Sequence, residues 1–371
     1  MLSGIRIVEI GAIGPGPFCA MHLADLGADV ITVERADASP PSAGLNVLNR
    51  GKRSVVADLK SAEGRDLVLG LAADADALIE GMRPGVMERL GLGPDVLQAR
   101  NPRLVYGRMT GWGQAGPLAQ AAGHDNNYIS LSGALYYTGT AGEAPISPIT
   151  AIGDIGGGAL YLAIGILAGI MKARATGTGT VVDAAIVDGS AHLLSLLLAS
   201  RRKGLIRGKR GENVHDGSHF FSTYRCKDGE HITLGSLEPQ FYALLLQKLG
   251  LDPADFPQWD RARWPELRAR FGQIFAAKTR AEWCALLEGS DVCFSPVLSP
   301  DEAARHPHMQ ARDVYFERDG RLEARPAPRF DGKTLPVGDV PVQGQHTAEV
   351  AQALKQGAGA VWAAQRTFGR P

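Results

Sequence analysis

Cysteine is scarce in this chain: Cys19, Cys226, Cys284 and Cys293 are all there are in 371 residues, and no two have C-x-x-C spacing. That excludes a disulfide framework and a zinc knuckle, and leaves reduced thiols in a cytoplasmic protein as the expectation. An excess of one charge is also missing, since Lys plus Arg and Asp plus Glu both number 39. A balanced surface has no global field to hold DNA, RNA or an anionic membrane, so any anion site must be local. The N-terminus enters a strand-like segment, Ile5 to Ile10, without a basic region or an apolar signal core, and nothing there addresses the chain for export. Long apolar runs are confined to Gly156 to Ala173, which carries five glycines and meets Lys172 and Arg174 at its end. This favours a buried core helix over a membrane span. Internal repeats are lacking too.

The chain is long for one core, so two domains are expected. Short β-branched runs at Ile5 to Ile10, Asp29 to Glu34, Ser54 to Asp58, Ala77 to Glu80 and Leu104 to Arg108 alternate with helical patterns. That alternation predicts an α/β fold, a Rossmann-like large domain with a parallel sheet of at least five strands. A strand at Val181 to Ala185 and a helix at Val187 to Ala199 follow. The large domain is expected over residues 1–200 and to be completed by 330–371. A basic linker, 201–222, leads to a smaller α+β domain over 223–316, and a proline-rich linker covers 317–345. The helical stretch His346 to Gln356 has little core of its own and should pack back on another domain or subunit.

The loop Gly11 to Pro17 sits where dinucleotide enzymes place phosphate-binding glycines, but its spacing is not G-x-G-x-x-G and Pro15 and Pro17 remove N–H donors. A tight turn near a ligand fits better than a nicotinamide or flavin site. Basic residues recur where strands end: Arg35, Lys60 and Arg83, with Arg89 beyond. In open α/β sheets that edge binds ligands, and a phosphorylated adenosine would suit these positions; scattered surface cations are the bland alternative. His124 and Asp125 follow Gly123 at a helix start, where free N–H groups could hold a developing oxyanion beside a base. The plainer roles are a helix cap and a loop histidine. Asp154, among glycines before the apolar run, could cap that helix or, partly buried, act as a general base. Glu238, taken alone, reads as a surface glutamate. His215 with His219, and His306 with His308, have spacings that a metal could use, but glycine or proline interrupts any shared face, and no metal is expected.

The segments Leu2 to Glu9, Asn49 to Lys60 and Glu80 to Gly91 resemble the family III CoA-transferases, and the resemblance covers nearly the whole chain. Ala122 to Gly133, Gly153 to Gly158 and Glu238 to Tyr242 are similar to the branch of that family that racemises 2-methylacyl-CoA thioesters. The resemblance implies an interlocked homodimer with its active site between subunits. It implies His124 and Asp154 as the two acid/base residues and Glu238 as the partner that orients the histidine. The CoA contacts it implies are Arg35, Ala57, Asp58, Leu59, Lys60, Gly81, Met82, Arg83 and Arg89, and then Gly123 to Tyr128. Asp125 aligns with the aspartate that the family's transferases use to form an aspartyl-CoA thioester, so transfer of CoA between carboxylic acids is the alternative activity. A CoA-ester binding module without catalysis is the non-enzymatic one.

The expected reaction is 1,1-proton transfer at the carbon alpha to a thioester, through an enolate, between two bases on opposite faces. It calls for an acyl-CoA substrate and for no metal, redox cofactor, nucleic acid or membrane insertion. Ile13, Leu135, Tyr136 and Tyr137 are candidates for lining an apolar acyl pocket.

Overall fold

The first strand alternates its apolar side chains between two helical layers: Ile7 packs to one side, Val8 and Ile10 to the other, as a parallel strand covered on both faces requires. In the computed structural model, which describes residues 1–36, 46–204 and 206–363, six such strands form one parallel sheet. They are β1 (Arg6–Ile10), β2 (Asp29–Glu34), β3 (Arg53–Val56), β4 (Ala77–Glu80), β5 (Val105–Thr110) and β6 (Thr180–Ala185), in the order β3-β2-β1-β4-β5-β6. The order reverses between β1 and β4, and at such a switch point the loops after neighbouring strands part to leave a crevice.

Around the sheet run α1 (Pro15–Asp25), α2 (Ala62–Ala72), the single turn α3 (Val86–Arg89), α4 (Pro94–Arg100), α5 (Asp125–Ser132), α6 (Leu160–Thr176) and α7 (Ile186–Leu193). Leu162, Ile166 and Ile170 of α6 join Leu23 of α1 in one core layer. Val68 and Leu71 of α2 and Leu97 of α4 build the other, which Val350 and Trp362 near the C-terminus complete.

Two expectations change here. The apolar run is not one helix: Ala151–Ala159 forms a π-helical segment and the α-helix begins at Leu160. Glycine-rich sequence tolerates that wide turn, and such turns recur at functional sites. Asp154 therefore sits inside a π turn and is no helix cap. By length and composition Ala151–Thr176 could cross a membrane, and it is partly buried within the structure. The helix expected at Val187 to Ala199 is broken at Leu194, between α7 and Ser195–Arg202.

The chain divides into two compact units, the first comprising Met1–Ala134, Pro148–Leu193 and the chain from Glu323 on, the second Leu135–Ser147 and Leu194–Leu322. The expected bounds had placed 135–147 with the sheet and the crossovers at 201 and 330. The second unit holds a three-stranded antiparallel sheet, Phe221–Arg225, His231–Gly235 and Phe294–Pro296, with helices Pro239–Leu249, Trp264–Phe275 and Arg280–Leu287. Its core is aromatic, built on Phe220, Trp264, Phe271 and Phe275.

Candidate active site

The loops after β1, β4 and β5 and the start of α5 enclose a cleft of about 370 Å³ in the first unit. Gly14 ends the β1 loop as the N-cap of α1, with Pro15 opening the helix, where its missing N–H costs nothing. Behind this loop Lys52 Nζ donates to Glu9 Oε2 at 2.6 Å and to the Pro17 carbonyl at 3.1 Å, a fully buried pair that fixes the loop to the sheet. After β4, the Met82 N–H donates to Glu80 Oε2 at 2.6 Å and shapes the turn that presents Arg83.

Gly111, just past β5, lies where a Cβ would come 2.0 Å from the Tyr128 ring; no other residue fits. Tyr128 stacks edge-on against Trp112, ring centroids 4.7 Å apart, and its hydroxyl donates to the Gly123 carbonyl. These contacts hold the start of α5 over the cleft. His124 is the N-cap, its N–H donating to Asn127 Oδ1 at 3.0 Å, and its side chain is exposed to the cleft.

Asp125, the next residue, points the other way. It is 6% exposed and absent from the cleft wall. Its Oδ2 accepts the backbone N–H of Asp154 at 2.7 Å, and its Oδ1 is sealed without a hydrogen-bond partner. Asp154 itself lines the cleft with His124. Burial pushes its carboxyl above the ordinary aspartate range, the charge of Asp125 adds to the rise, and His124 works against it. An acid so tuned can hold and release a proton in one cycle.

A second cleft of about 440 Å³ opens beside the first, on the β3-β2-β1 half of the same sheet edge. Arg35, Ala57, Asp58, Leu59 and Lys60 line it, together with Met82, which also lines the first. Two groups of the expected CoA contacts thus fall on adjoining clefts. Gly81, Met82, Arg83, Gly123 and Tyr128 belong to the first cleft. Arg89 lines neither; it is exposed on α3, alongside Gly85. Ile13 borders the first cleft, whereas Leu135, Tyr136 and Tyr137 belong to the second unit. Glu238 is also in the second unit, as the N-cap residue of Pro239–Leu249.

Two of the four histidines considered for metal have polar side-chain partners. His219 is buried, with Nε2 2.7 Å from the Tyr242 hydroxyl, and His306 Nε2 lies 2.6 Å from Glu288 Oε1. Among the described residues no three His, Cys, Asp or Glu side chains group to hold a metal ion. The sequence reading missed Glu9, Lys52, Glu80 and Arg108. For Glu9, Glu80 and Arg108 the signal was charge inside otherwise apolar strand patterns, which points to partners across the sheet; Lys52, just before β3, carried no such signal.

Residues 2–347 match CoA-transferase family III. The chain is 43% identical over 356 residues to the alpha-methylacyl-CoA racemase of Mus musculus, covering 94% of this chain and 92% of that one. It is 42% identical to the Homo sapiens racemase over 358 residues, 95% and 92% of the two chains. The human succinyl-CoA:glutarate CoA-transferase is 28% identical over 378 residues, 94% and 85% of the two. Among solved structures, a CaiB/BaiF family protein from Brucella suis superposes with a TM-score of 0.81 at 28% identity, covering 95% of this chain and 98% of that one.

Proposed function

The chain belongs to CoA-transferase family III, and we propose that within it this protein is an isomerase that racemises the α-carbon of 2-methylacyl-CoA thioesters. One observation carries the reading: Asp154 and His124 face the same cleft, while Asp125, which a transferase would use as nucleophile, is sealed away from it. A buried carboxylate oxygen cannot reach a thioester carbonyl. The identity to two racemases, well above that to the transferase, supports the same choice.

In the proposed reaction one base takes the α-proton from one face, a planar enolate forms, and the other base returns a proton to the opposite face. His124 serves one epimer and Asp154 the other. The first turn of α5 leaves N–H groups without intrahelical partners, and these stabilise the enolate oxygen. CoA lies across the two clefts, its nucleotide near Arg35 and Lys60 and its thioester by His124, with Met82 between. The chemistry needs no metal or redox group.

Glu238 orients the His124 imidazole in an interlocked homodimer, as carboxylates do for catalytic histidines. In support of such an assembly, α6 turns Ile164 and Met171 to solvent, 63% and 73% exposed, an apolar face that a second copy would cover. Four cysteines that form no disulfide accord with a reducing cytoplasm.

Proton NMR of a 2-methylacyl-CoA incubated with the protein in deuterium oxide, with no free acid present, tests the reading. Loss of the α-proton signal with inversion of configuration is expected. Absence of exchange across several branched acyl chains, together with hydroxylamine inactivation during turnover with an acid acceptor, would replace it with CoA transfer through Asp125.

A further inference from the structure

Arg108 stands inside β5, where the pattern of a doubly covered strand calls for an apolar side chain. It is 8% exposed and sits directly across the register from Glu80, the last residue of β4. Its Nε donates to Glu80 Oε1 at 3.1 Å, and its Nη2 donates to Glu88 Oε1 at 2.7 Å. The guanidinium carbon lies 5.6 Å from the Tyr106 ring centroid. Glu80 has its second oxygen on the Met82 N–H. One side chain therefore ties β5 to the turn after β4 and to α3, which carries Glu88.

Those two attachments are the wall between the clefts. Met82 lines both, and Val86 and Leu90, at the start of α3 and just past its end, line the cleft on the Arg35 side. Stability alone gives little reason to keep this arrangement. Desolvating a guanidinium and a carboxylate is costly, and well-packed apolar residues often serve a core as well or better. A planar fork that grips two carboxylates in fixed directions does what an apolar side chain does not: it sets the position of both attached segments.

We propose that Arg108 is a positioning residue for coenzyme A, which through Glu80 and Glu88 fixes the shared wall so that nucleotide and thioester occupy their clefts together. The inference rests on the CoA-ester reading above. It assigns to Arg108, Glu80 and Glu88 no contact with the reacting atoms.

The test compares the full-length wild-type protein with Arg108→Met and Glu88→Ala. Calorimetric titration with CoA gives affinity, and α-proton exchange gives kcat and KM for a 2-methylacyl-CoA and for its N-acetylcysteamine thioester, which lacks the nucleotide. Arg108→Met is expected to weaken CoA binding and raise the CoA-ester KM by about tenfold, as loss of a charged hydrogen-bond pair implies. Its kcat, and its turnover of the truncated thioester, should change far less. Glu88→Ala, whose side chain is partly exposed and whose removal spares the fold, should weaken CoA by about threefold. Wild-type CoA affinity in both variants, or equal losses on full and truncated thioesters, overturns the positioning role. If Arg108→Met does not fold, Glu88→Ala decides. A wild-type protein that binds CoA without exchanging the α-proton refutes the racemase reading and leaves the affinity comparison intact. A wild-type protein that does not bind CoA overturns both.

Discussion

The Oδ2 of Asp125 accepts the backbone N–H of Asp154 at 2.7 Å, joining the start of α5 to a π turn 29 residues further along the chain. The hydrogen bond gives two adjacent carboxylates unlike surroundings. One is sealed and holds the backbone; the other meets the cleft with its proton affinity raised.

Asp125→Asn keeps an oxygen that can accept the Asp154 N–H and removes the charge. Exchange of the α-proton should persist within about tenfold of wild type, since one polar group of like shape replaces another. Asp154 is the base only when ionised, so activity through it rises with pH across its pKa. Removing the neighbouring charge takes away one cause of the raised value, and that limb of the rate–pH profile should move to lower pH. A transferase nucleophile would instead be abolished. Exchange rates followed by NMR across pH 4 to 8 separate these outcomes.

Asp154→Asn removes a base while leaving size and shape. Inversion in both directions should fall by about 10²- to 10⁴-fold, the usual range for loss of a general acid/base, as should exchange from the epimer that Asp154 deprotonates, while the epimer served by His124 still exchanges its α-proton and CoA affinity is little changed. Wild-type inversion in this variant would remove Asp154 from the mechanism.

Gly153→Ala would place a Cβ 2.2 Å from Asp125 Oδ2 and 2.9 Å from Ile129 Cγ2. The π turn must shift, at about 1–3 kcal/mol of stability, and exchange should drop by at least about tenfold with the displaced Asp154. Gly272→Ala, where an added Cβ meets nothing within 4 Å in the helix Trp264–Phe275, is the control. It should be neutral or stabilising by up to about 1 kcal/mol. Urea denaturation and exchange rates on both variants check the contrast.

His219 makes the second unit sensitive to acid. Burial lowers its imidazole pKa to about 4 from an ordinary 6.5, with Arg263 adding to the shift. The unfolded chain therefore binds a proton in a range where the folded one does not, and stability is lost as pH falls from 6.5 toward 4. Between pH 7 and pH 5 the loss from this one group should be about 2 kcal/mol. Urea midpoints at the two pH values measure it, and His219→Phe should remove that part of the slope; an unchanged slope would refute the assignment.

Much of the fold was legible because its signals are local. The period of β-branched runs located β1 to β5. Arg35 and Lys60 could be placed together because parallel strands put the residues that follow them on one side of a sheet, where both line the second cleft. Arg89 follows no strand: it is the last residue of α3, exposed there, and lines neither cleft. The π turn escaped notice because glycine-rich apolar sequence suits an α-helix and a wider turn alike, and packing chooses between them.

By itself, then, the sequence determined an α/β chain with a parallel sheet, and it marked His124, Asp125 and Asp154 as the titratable groups beside a helix start. Which aspartate meets the cleft was decided only when the π turn packed on α5, because burial of a side chain depends on segments distant in the chain. The pairing of Arg108 with Glu80 was decided in the same way, by the register between two strands that no local pattern fixes.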